Sequence, residues 1–201
     1  GTCAAQAASG AGQSLLTGVW PETVSLRTPK GLTVEVPLEH CRMQGDTAQC
    51  SVRKDGGDDV DKTTGALIQA NVSLSDTPGI RIRGGQGVGR VTKPGLDQPV
   101  GGAAINRVPR QMIREAVEAA CRTADYDGGA EVTISVPEGE AIAQKTFNPQ
   151  MGIVGGISIL GTSGIVEPMS MQAMIDTMAL ELRQAAAQGH KRLILTPGNY
   201  G

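Results

Sequence analysis

The stretch "TAQCSVRKDGGDDVDKTTGALIQANVSL", residues 47–74, places two strand patterns one after the other with a polar loop between them. In its first and last segments, "TAQCSVRK" and "ALIQANVSL", apolar and polar residues alternate, which is typical of half-buried strands. The loop between them gathers four aspartates and three glycines into thirteen residues, a composition typical of turns. Two successive strands without an intervening helix do not fit strict βαβ alternation, so the stretch indicates an α+β fold.

The flanking segments extend this mixture of helices and strands. Residues 3–16 are rich in Ala and Gly and predict a helix with Thr2 as N-cap and Gly18 as terminator. Residues 23–37 predict a hairpin around a Pro-Lys-Gly turn, and His40 falls in the loop that follows. Further strand patterns lie at 79–83, at 130–137 and, broken by five glycines, at 152–166.

Two later segments show helical periodicity. Residues 108–124 predict a helix with Pro109 at its first position. Residues 170–189 predict the clearest helix of the chain, capped by Ser170 and closed by Gly189. The predicted buried stripe of that helix consists of Met171, Met174, Ile175, Met178 and Leu182.

The chain divides into two unequal parts. Residues 1–189 are expected to form one α+β domain of mixed sheets, packed helices and glycine-rich loops. Residues 190–201 predict the first strand and glycine turn of a second, smaller α/β (Rossmann-like) domain that is cut short. Phe147, the one Phe in the sequence, is expected to anchor the core.

Composition excludes several classes of partner. The net charge of -2 and the scattered Lys and Arg residues argue against nucleic acid and against a polybasic membrane patch, and only 2% of residues are aromatic. No apolar run approaches the ~18 residues of a membrane span. The four cysteines lack a C-x-x-C pair, which favours free thiols in the cytoplasm. Whether the protein forms a homo-oligomer is left open.

The acidic block at residues 54–66 admits three interpretations. A calcium loop of the EF-hand type beginning at Asp55 or at Asp58 fails on register. A magnesium site formed by Asp58, Asp59 and Asp61 remains open, as does a turn in which carboxylates accept hydrogen bonds from backbone amides. The third interpretation is catalytic, because close carboxylates can raise one pKa and create a general base.

A second candidate is the glycine loop "GGQGVGRVTKPG" at residues 84–95. It resembles a phosphate loop, but Pro94 argues against the helix that a dinucleotide fingerprint requires. A nest of main-chain amides flanked by Arg90 and Lys93 could hold a carboxylate or phosphate, and a plain glycine hairpin is the alternative. Lys145 is similarly either an anion ligand or a surface lysine.

Six blocks together resemble one family, in that family's order along the chain. They are "GTCAAQAA", "VRKDGGDDVDKTTGA", "GGQGVGRVTKPGL", "AINRVPRQMI", "VPEGEAIAQKTFNPQMGIVGGISILGTSGIVEPMS" and "LTPGNYG". Through these six blocks the chain resembles the cobalt-precorrin-5B C-1-methyltransferases, the CbiD family of cobalamin biosynthesis. Members of this family look longer at both ends. Arg107 stands where much of the family is expected to have Pro.

The resemblance implies an enzyme that uses S-adenosylmethionine to methylate ring carbon C-1 of a cobalt-containing corrinoid precursor. The cobalt belongs to the substrate, so no protein metal site is expected. The catalytic residues implied within the acidic block are Asp55, Asp58 and Asp59. The substrate-binding residues implied are Lys54, Asp61, Thr63, Arg90, Lys93, Lys145, Thr146 and Asn148. The cofactor-binding residues implied are Gly198, Asn199 and Gly201.

The substrate class adds further candidates and leaves rival functions open. A corrinoid precursor carries many carboxylate arms, for which Arg81, Arg83 and Arg110 are additional partners. One rival is a non-catalytic domain that binds tetrapyrroles or polyanions. Another is a phosphate-binding enzyme of a different pathway, which depends on nucleotide binding at residues 84–90.

Overall fold

The computed structural model describes residues 1–57, 61–161, 163–165 and 171–194. The described residues form four α-helices, which are α1 (Thr2–Thr17), α2 (Arg107–Thr123), α3 (Gly139–Ala143) and α4 (Met171–Ala187). The strands, in chain order, are β1 (Thr23–Arg27), β2 (Thr33–Pro37), β3 (Glu39–Gln44), β4 (Thr47–Arg53), β5 (Leu67–Ser75), β6 (Ile80–Gly84), β7 (Gly87–Val88), β8 (Arg90–Val91), β9 (Gly129–Ser135), β10 (Ile153–Val154) and β11 (Gly156–Ile157).

A five-stranded mixed sheet, in the order β3-β4-β5-β9-β6, forms the centre of the fold. The strands β3, β4, β5 and β9 are antiparallel neighbours, and β6 joins β9 in parallel. Period-two alternation sends one set of side chains to a single face of this sheet. That set is apolar and buried, and consists of Ala48, Cys50, Val52, Ile68, Ala70, Val72, Ala130, Val132 and Ile134. The predicted α+β fold is therefore confirmed.

Helices α1 and α2 cover the apolar face of the sheet and pack against each other. The Ala- and Gly-rich sequence of α1 allows this close approach, since Gly12 lies against Ala120 of α2 with room for no more than a methyl group. Helix α1 ends as predicted at Gly18, whose φ of 73° is left-handed. Thr2 is the first residue of α1 rather than its N-cap, and Pro109 is the third residue of α2 rather than its first.

The opposite face of the sheet carries polar side chains in cross-strand rows. One row consists of Ser51, Gln69 and Ser135, aligned across β4, β5 and β9. The β1–β2 hairpin pairs Thr23 with Pro37, as predicted for residues 23–37. The strands predicted at residues 47–54 and 66–74 are therefore present as β4 and β5.

Three predictions about exposure and local structure are wrong. His40 lies inside strand β3 at a bulge, with a φ of 51°, and not in a loop. Phe147 is 76% exposed and does not anchor the core. Helix α4 exists, but its predicted buried stripe is open to solvent, with Met171 at 67% and Ile175 at 48% exposure. A helical stripe of apolar residues shows which face could be buried, but it does not say that a partner lies within the chain.

The glycine-rich segment at residues 152–166 does not form one buried strand. Its described part contributes the short strands β10 and β11, which pair with β8 and β7 of the first glycine loop. The two glycine-rich blocks therefore bind each other. Residues 191–194 are irregular, and 195–201 lie outside the described residues, so the second domain remains a prediction.

Candidate functional site

The acidic block forms a hydrogen-bonded cluster around Asp61. The Asp61 carboxylate pairs with the ammonium group of Lys54, and it accepts hydrogen bonds from the Thr63 backbone N–H (2.9 Å) and hydroxyl (2.6 Å). A backbone hydrogen bond joins the two ends of the block, because the Gly65 N–H donates to the Lys54 carbonyl oxygen at 2.8 Å. Three of the predicted substrate-binding residues are thus brought together.

The electrostatics of this cluster favour the ionised carboxylate. Burial opposes ionisation of Asp61, but the hydrogen bonds from Lys54 and Thr63 and the lysine charge outweigh it, so the pKa of Asp61 lies below its ordinary value. Asp55 accepts a hydrogen bond from the Gly57 backbone N–H at 2.8 Å, which is the geometry of an Asx turn. Among the described residues no group of three or more His, Cys, Asp or Glu could hold a metal ion.

The predicted catalytic residues Asp58 and Asp59 lie outside the described residues, and so do Gly198, Asn199 and Gly201. The roles predicted for these five residues therefore remain predictions. Asp55, the third predicted catalytic residue, is described, and its carboxylate is engaged in the turn.

The start of α1 lies beside the acidic block. Burial raises the pKa of the Cys3 thiol, while the neighbouring Lys54 acts in the opposite direction and Asp55 adds to the increase. The Thr2 hydroxyl donates to the Gly164 carbonyl oxygen at 2.5 Å, so a glycine-rich turn joins the same region. Three of the six sequence blocks thus meet at the N-terminal end of α1. A raised pKa keeps Cys3 a thiol and makes it a poor nucleophile.

The amides of the first glycine loop bind protein carbonyls. Five backbone N–H groups of this loop, those of Gly85, Val88, Gly89, Val91 and Thr92, donate to carbonyl oxygens of the chain at 2.7–3.2 Å. Those five amides are therefore not available to an anion, which favours the glycine hairpin over the amide nest, the two alternatives that the sequence leaves open.

The glycines of the two blocks permit a close backbone approach. A Cβ placed on Gly156 would lie 2.8 Å from the Gly89 nitrogen, a distance that no side chain tolerates. The flanking bases also make local contacts. Arg90 donates to the Gly101 carbonyl oxygen at 3.3 Å, and Lys93 Nζ donates to the Gln150 carbonyl oxygen at 3.0 Å.

Thr146 and Asn148 build a turn. The Thr146 hydroxyl donates to the Ala143 carbonyl oxygen at the end of α3 (2.8 Å) and accepts from the Asn148 amide (2.7 Å). The Asn148 side-chain oxygen accepts the Ser158 backbone N–H at 3.1 Å. These bonds hold the second glycine block in place, whereas Lys145, which directly precedes Thr146, is exposed. The substrate-binding roles predicted for these residues stay predictions.

A first cleft, of about 370 Å³, lies between this turn and helix α4. Its lining includes the exposed ring of Phe147 and the side chains of Met151 and Leu193. Lys93 and Glu181 also line it. Gln184 of α4 is buried and donates to the Met151 carbonyl oxygen at 2.8 Å, which joins the helix to the turn.

A second cleft, of about 350 Å³, is strongly basic and lies along α2. It is lined by Arg107, Arg110 and Arg114, which share one helix face because they are spaced three and four residues apart. Asp97 faces them and accepts the Arg107 backbone N–H at 2.5 Å. Burial lowers the pKa of Arg110, and the positive charge of Arg114 lowers it further, whereas Asp97 opposes both.

The sequence predictions named only Arg110 in this cleft. The signal for the other two arginines was present as "RVPRQMIR", in which three Arg residues repeat at helical spacing. Arg110 also has a structural role, since its guanidinium donates to the carbonyl oxygens of Ile105 (2.8 Å) and Ile82 (3.0 Å). Arg81 and Arg83, the other arginines predicted for carboxylate arms, both donate to Glu131, at 3.1 and 3.3 Å.

Comparison with known proteins gives a consistent result. A family model described as CbiD matches residues 1–168. The chain is 51% identical over 198 residues to the cobalt-precorrin-5B C(1)-methyltransferase of Geobacillus kaustophilus (strain HTA426), covering 98% of this chain and 53% of the relative. It is 48% identical over 201 residues to the protein of the same name from Thermoanaerobacter sp. (strain X514), covering 100% of this chain and 54% of the relative.

A solved structure agrees with these relatives. The 1.9 Å crystal structure of a cobalamin biosynthesis protein (cbiD) from Archaeoglobus fulgidus matches with a TM-score of 0.63 and 35% identity, covering 89% of this chain and 57% of that one. The chain spans about half the length of the curated relatives it matches. Among the helices in the described part of the chain, none combines the length and apolarity needed to cross a bilayer.

Proposed function

The chain belongs to the CbiD family, and on that premise we propose that it methylates carbon C-1 of cobalt-precorrin-5B with S-adenosylmethionine as donor, in anaerobic cobalamin biosynthesis. The observation that carries this proposal is the 51% identity, over 98% of the chain, with a relative named for this reaction. We further propose that the protein works in the cytoplasm, and its four free cysteines support a reducing compartment.

The basic cleft on α2 supports a polycarboxylate substrate. Three guanidinium groups face one carboxylate there, so the cleft carries an excess of positive charge. Arginine is suited to this role because its planar fork binds carboxylates through two parallel hydrogen bonds. We assign a carboxylate arm of the corrinoid to Arg114, which is exposed in the cleft. Arg110 takes a supporting position, because its donors already hold backbone carbonyls. Arg107 adds positive charge to the cleft but is assigned no arm, since much of the family is expected to have Pro at this position.

Methyl transfer to carbon depends mainly on alignment of the reacting atoms. The carbon–sulfur bond of the donor breaks as the bond to ring carbon C-1 forms, and a thioether product leaves. An enzyme accelerates such a step largely by holding the two reactants in line. We propose that Asp58 or Asp59 takes part in proton transfer during the methylation or stabilises the positive charge of the sulfonium group. The Lys54–Asp61 pair supports this proposal because it joins the two residues that flank residues 55–60.

The test uses the protein at the full length that its gene encodes. It is incubated without oxygen with cobalt-precorrin-5B and methyl-labelled S-adenosylmethionine, and the macrocycle is analysed for label at C-1. Incorporation is expected, and its absence would refute the proposal. Tight binding of the corrinoid without transfer would instead favour a non-catalytic tetrapyrrole-binding domain. In the same assay Asp58→Asn is expected to abolish methyl transfer while its thermal unfolding stays unchanged. Unchanged turnover in this variant would show that Asp58 is not catalytic and would favour a purely turn-forming role.

A further inference from the structure

We infer that the cleft between the turn at residues 147–151 and helix α4 binds the adenosyl part of the methyl donor. The inference rests on the proposed function, since it concerns the donor of that reaction. It differs from the position predicted from the sequence alone, which used only Gly198, Asn199 and Gly201.

The first argument is the exposure of Phe147. The ring lines the cleft and 76% of the side chain is accessible. A single exposed apolar residue is ordinary, but a contiguous exposed apolar patch marks an interaction site. Its neighbours in the cleft, Met151 and Leu193, extend the apolar surface, and Leu193 is itself 50% exposed. Aromatic rings bind nucleobases by stacking, because every base presents a π-face.

The second argument is the mixture of polar groups opposite the ring. Glu181, on α4, offers a carboxylate, which accepts hydrogen bonds from the two hydroxyl groups of a ribose. Gln188 lies directly after the last residue of α4 and offers both donors and an acceptor to the edge of a base. A single apolar groove for a peptide or lipid would not require this combination.

The third argument is the fixed position of Lys93. Its aliphatic stem lies over Gly152, where a Cβ would come within 2.7 Å of Lys93 Cδ, and its ammonium group donates to the Gln150 carbonyl oxygen at 3.0 Å. Only one of its three N–H donors is needed for that bond. The ammonium group therefore stands at the cleft with donors for the carboxylate of an amino-acid moiety.

The size of the cleft agrees with this ligand. Its volume of about 370 Å³ lies at the lower end of the range of small-molecule sites. That volume suits a nucleoside with a short side chain. Helix α4 forms one wall and is joined to the other wall through Gln184, so the two walls are held together without the ligand.

The experiment measures binding of S-adenosylhomocysteine and of methylthioadenosine to the full-length protein by calorimetry, without corrinoid. Phe147→Leu, which removes the ring, is expected to weaken binding of both compounds by roughly 5- to 150-fold, the range of base stacking on an aromatic side chain. Phe147→Tyr, which keeps the ring, is expected to bind normally. Trp20→Leu removes an aromatic ring that does not line the cleft and serves as the matched control.

A second pair of variants tests the orientation. Lys93→Met is expected to weaken binding of S-adenosylhomocysteine but not of methylthioadenosine, which lacks the amino-acid carboxylate. Lys62→Met, another exposed lysine, is expected to change neither. Equal affinities in Phe147→Leu and the wild type would overturn the inference, and a lower Tm in that variant would show that the ring packs against protein. If the wild type transfers the methyl group but Phe147→Leu and Lys93→Met bind S-adenosylhomocysteine normally, the donor site is wrong and the proposed reaction stands. If the wild type binds S-adenosylhomocysteine at this cleft but transfers no methyl group, the proposed reaction is wrong.

Discussion

Replacing Asp61 by Asn is expected to destabilise the protein at neutral pH. The Asp61 carboxylate receives donors from Lys54 and, twice, from Thr63. Asparagine keeps one oxygen for these donors, but it removes the negative charge and places an N–H₂ group where an acceptor was. The half-buried Lys54 ammonium then lacks its counter-charge, and part of the loop at residues 54–66 loses its anchor.

The magnitude follows from the exposure of the pair. A hydrogen bond to a charged group contributes about 1.5–3 kcal/mol when buried, whereas an exposed ion pair contributes about 0–1 kcal/mol. The side chains of Lys54 and Asp61 are 21% and 29% exposed. Solvent therefore screens the pair in part, and the expected loss is about 2 kcal/mol. For a domain of this size, that corresponds to a decrease in Tm of roughly 4–8 °C.

The same carboxylate predicts a dependence on pH. Its folded-state pKa is depressed, so its contribution to stability is present above the unfolded-state pKa of about 3.9. That contribution is lost as the pH falls through the lower folded-state value. The difference in Tm between wild type and Asp61→Asn is therefore expected to be constant from neutral pH down to about pH 5 and to shrink below about pH 4.

Thermal unfolding followed by circular dichroism, at a series of pH values, measures both effects. Asp127→Asn is the matched control, because it makes the same chemical change at an exposed position. Wild-type stability in Asp61→Asn at pH 7 would refute the assigned role of the pair. A difference that persists unchanged at the lowest pH at which the protein stays folded would refute the electrostatic part of the reasoning.

Other predictions concern glycines and arginines. Gly12→Ala is expected to raise the free energy of unfolding by up to about 1 kcal/mol, since a Cβ there would lie 3.5 Å from Ala120, an ordinary contact. Gly156→Ala is expected to lower the free energy of unfolding by about 2 kcal/mol or more, because the added carbon meets backbone atoms. Chemical denaturation of Gly12→Ala and Gly156→Ala measures both effects. Wild-type stability in Gly156→Ala would contradict the packing argument. Arg114→Ala is expected to weaken corrinoid binding and to reduce its salt dependence at unchanged Tm, whereas Arg110→Ala is expected to lower Tm as well. Calorimetry at two salt concentrations, together with thermal unfolding, separates the two variants. Salt-independent corrinoid binding in the wild type would contradict the carboxylate-binding role.

The central sheet and its helical cover could be predicted from the sequence because their signals are local. The alternation in β4, β5 and β9 gives both the strand type and the buried face, and the spacing in α2 gives its core side. Strand β3 was missed because "EHCRMQ" contains only two apolar residues, Cys41 and Met43, and includes a bulge between Glu39 and Arg42. A bulge places two residues opposite one and interrupts the period from which strands are recognised.

The candidate site was predicted less completely, because its properties depend on contacts between distant segments. The sequence places Lys54, Asp61 and Thr63 in one block, but it does not show that they bind one another. The exposure of Phe147 and of the α4 stripe was not, since hydrophobicity alone gives a preference for burial and cannot supply the partner surface. The basic cleft required knowing that Asp97 lies beside the first turn of α2, a relation between segments ten residues apart that no periodicity encodes.

The role of the glycines changes how ligand binding in this fold is understood. Twenty-eight glycines suggest a ligand held by main-chain amides. Yet in the loop at residues 84–95 the amides bind protein carbonyls, and the glycines allow two backbones to meet without side chains between them. Because five amides of this loop are occupied, we expect recognition in this region to involve side chains on its rim, such as Lys93 and Phe147. Substitutions at the interlocked glycines should therefore change stability first and affinity only as a consequence, whereas substitutions on the rim should change affinity at constant stability.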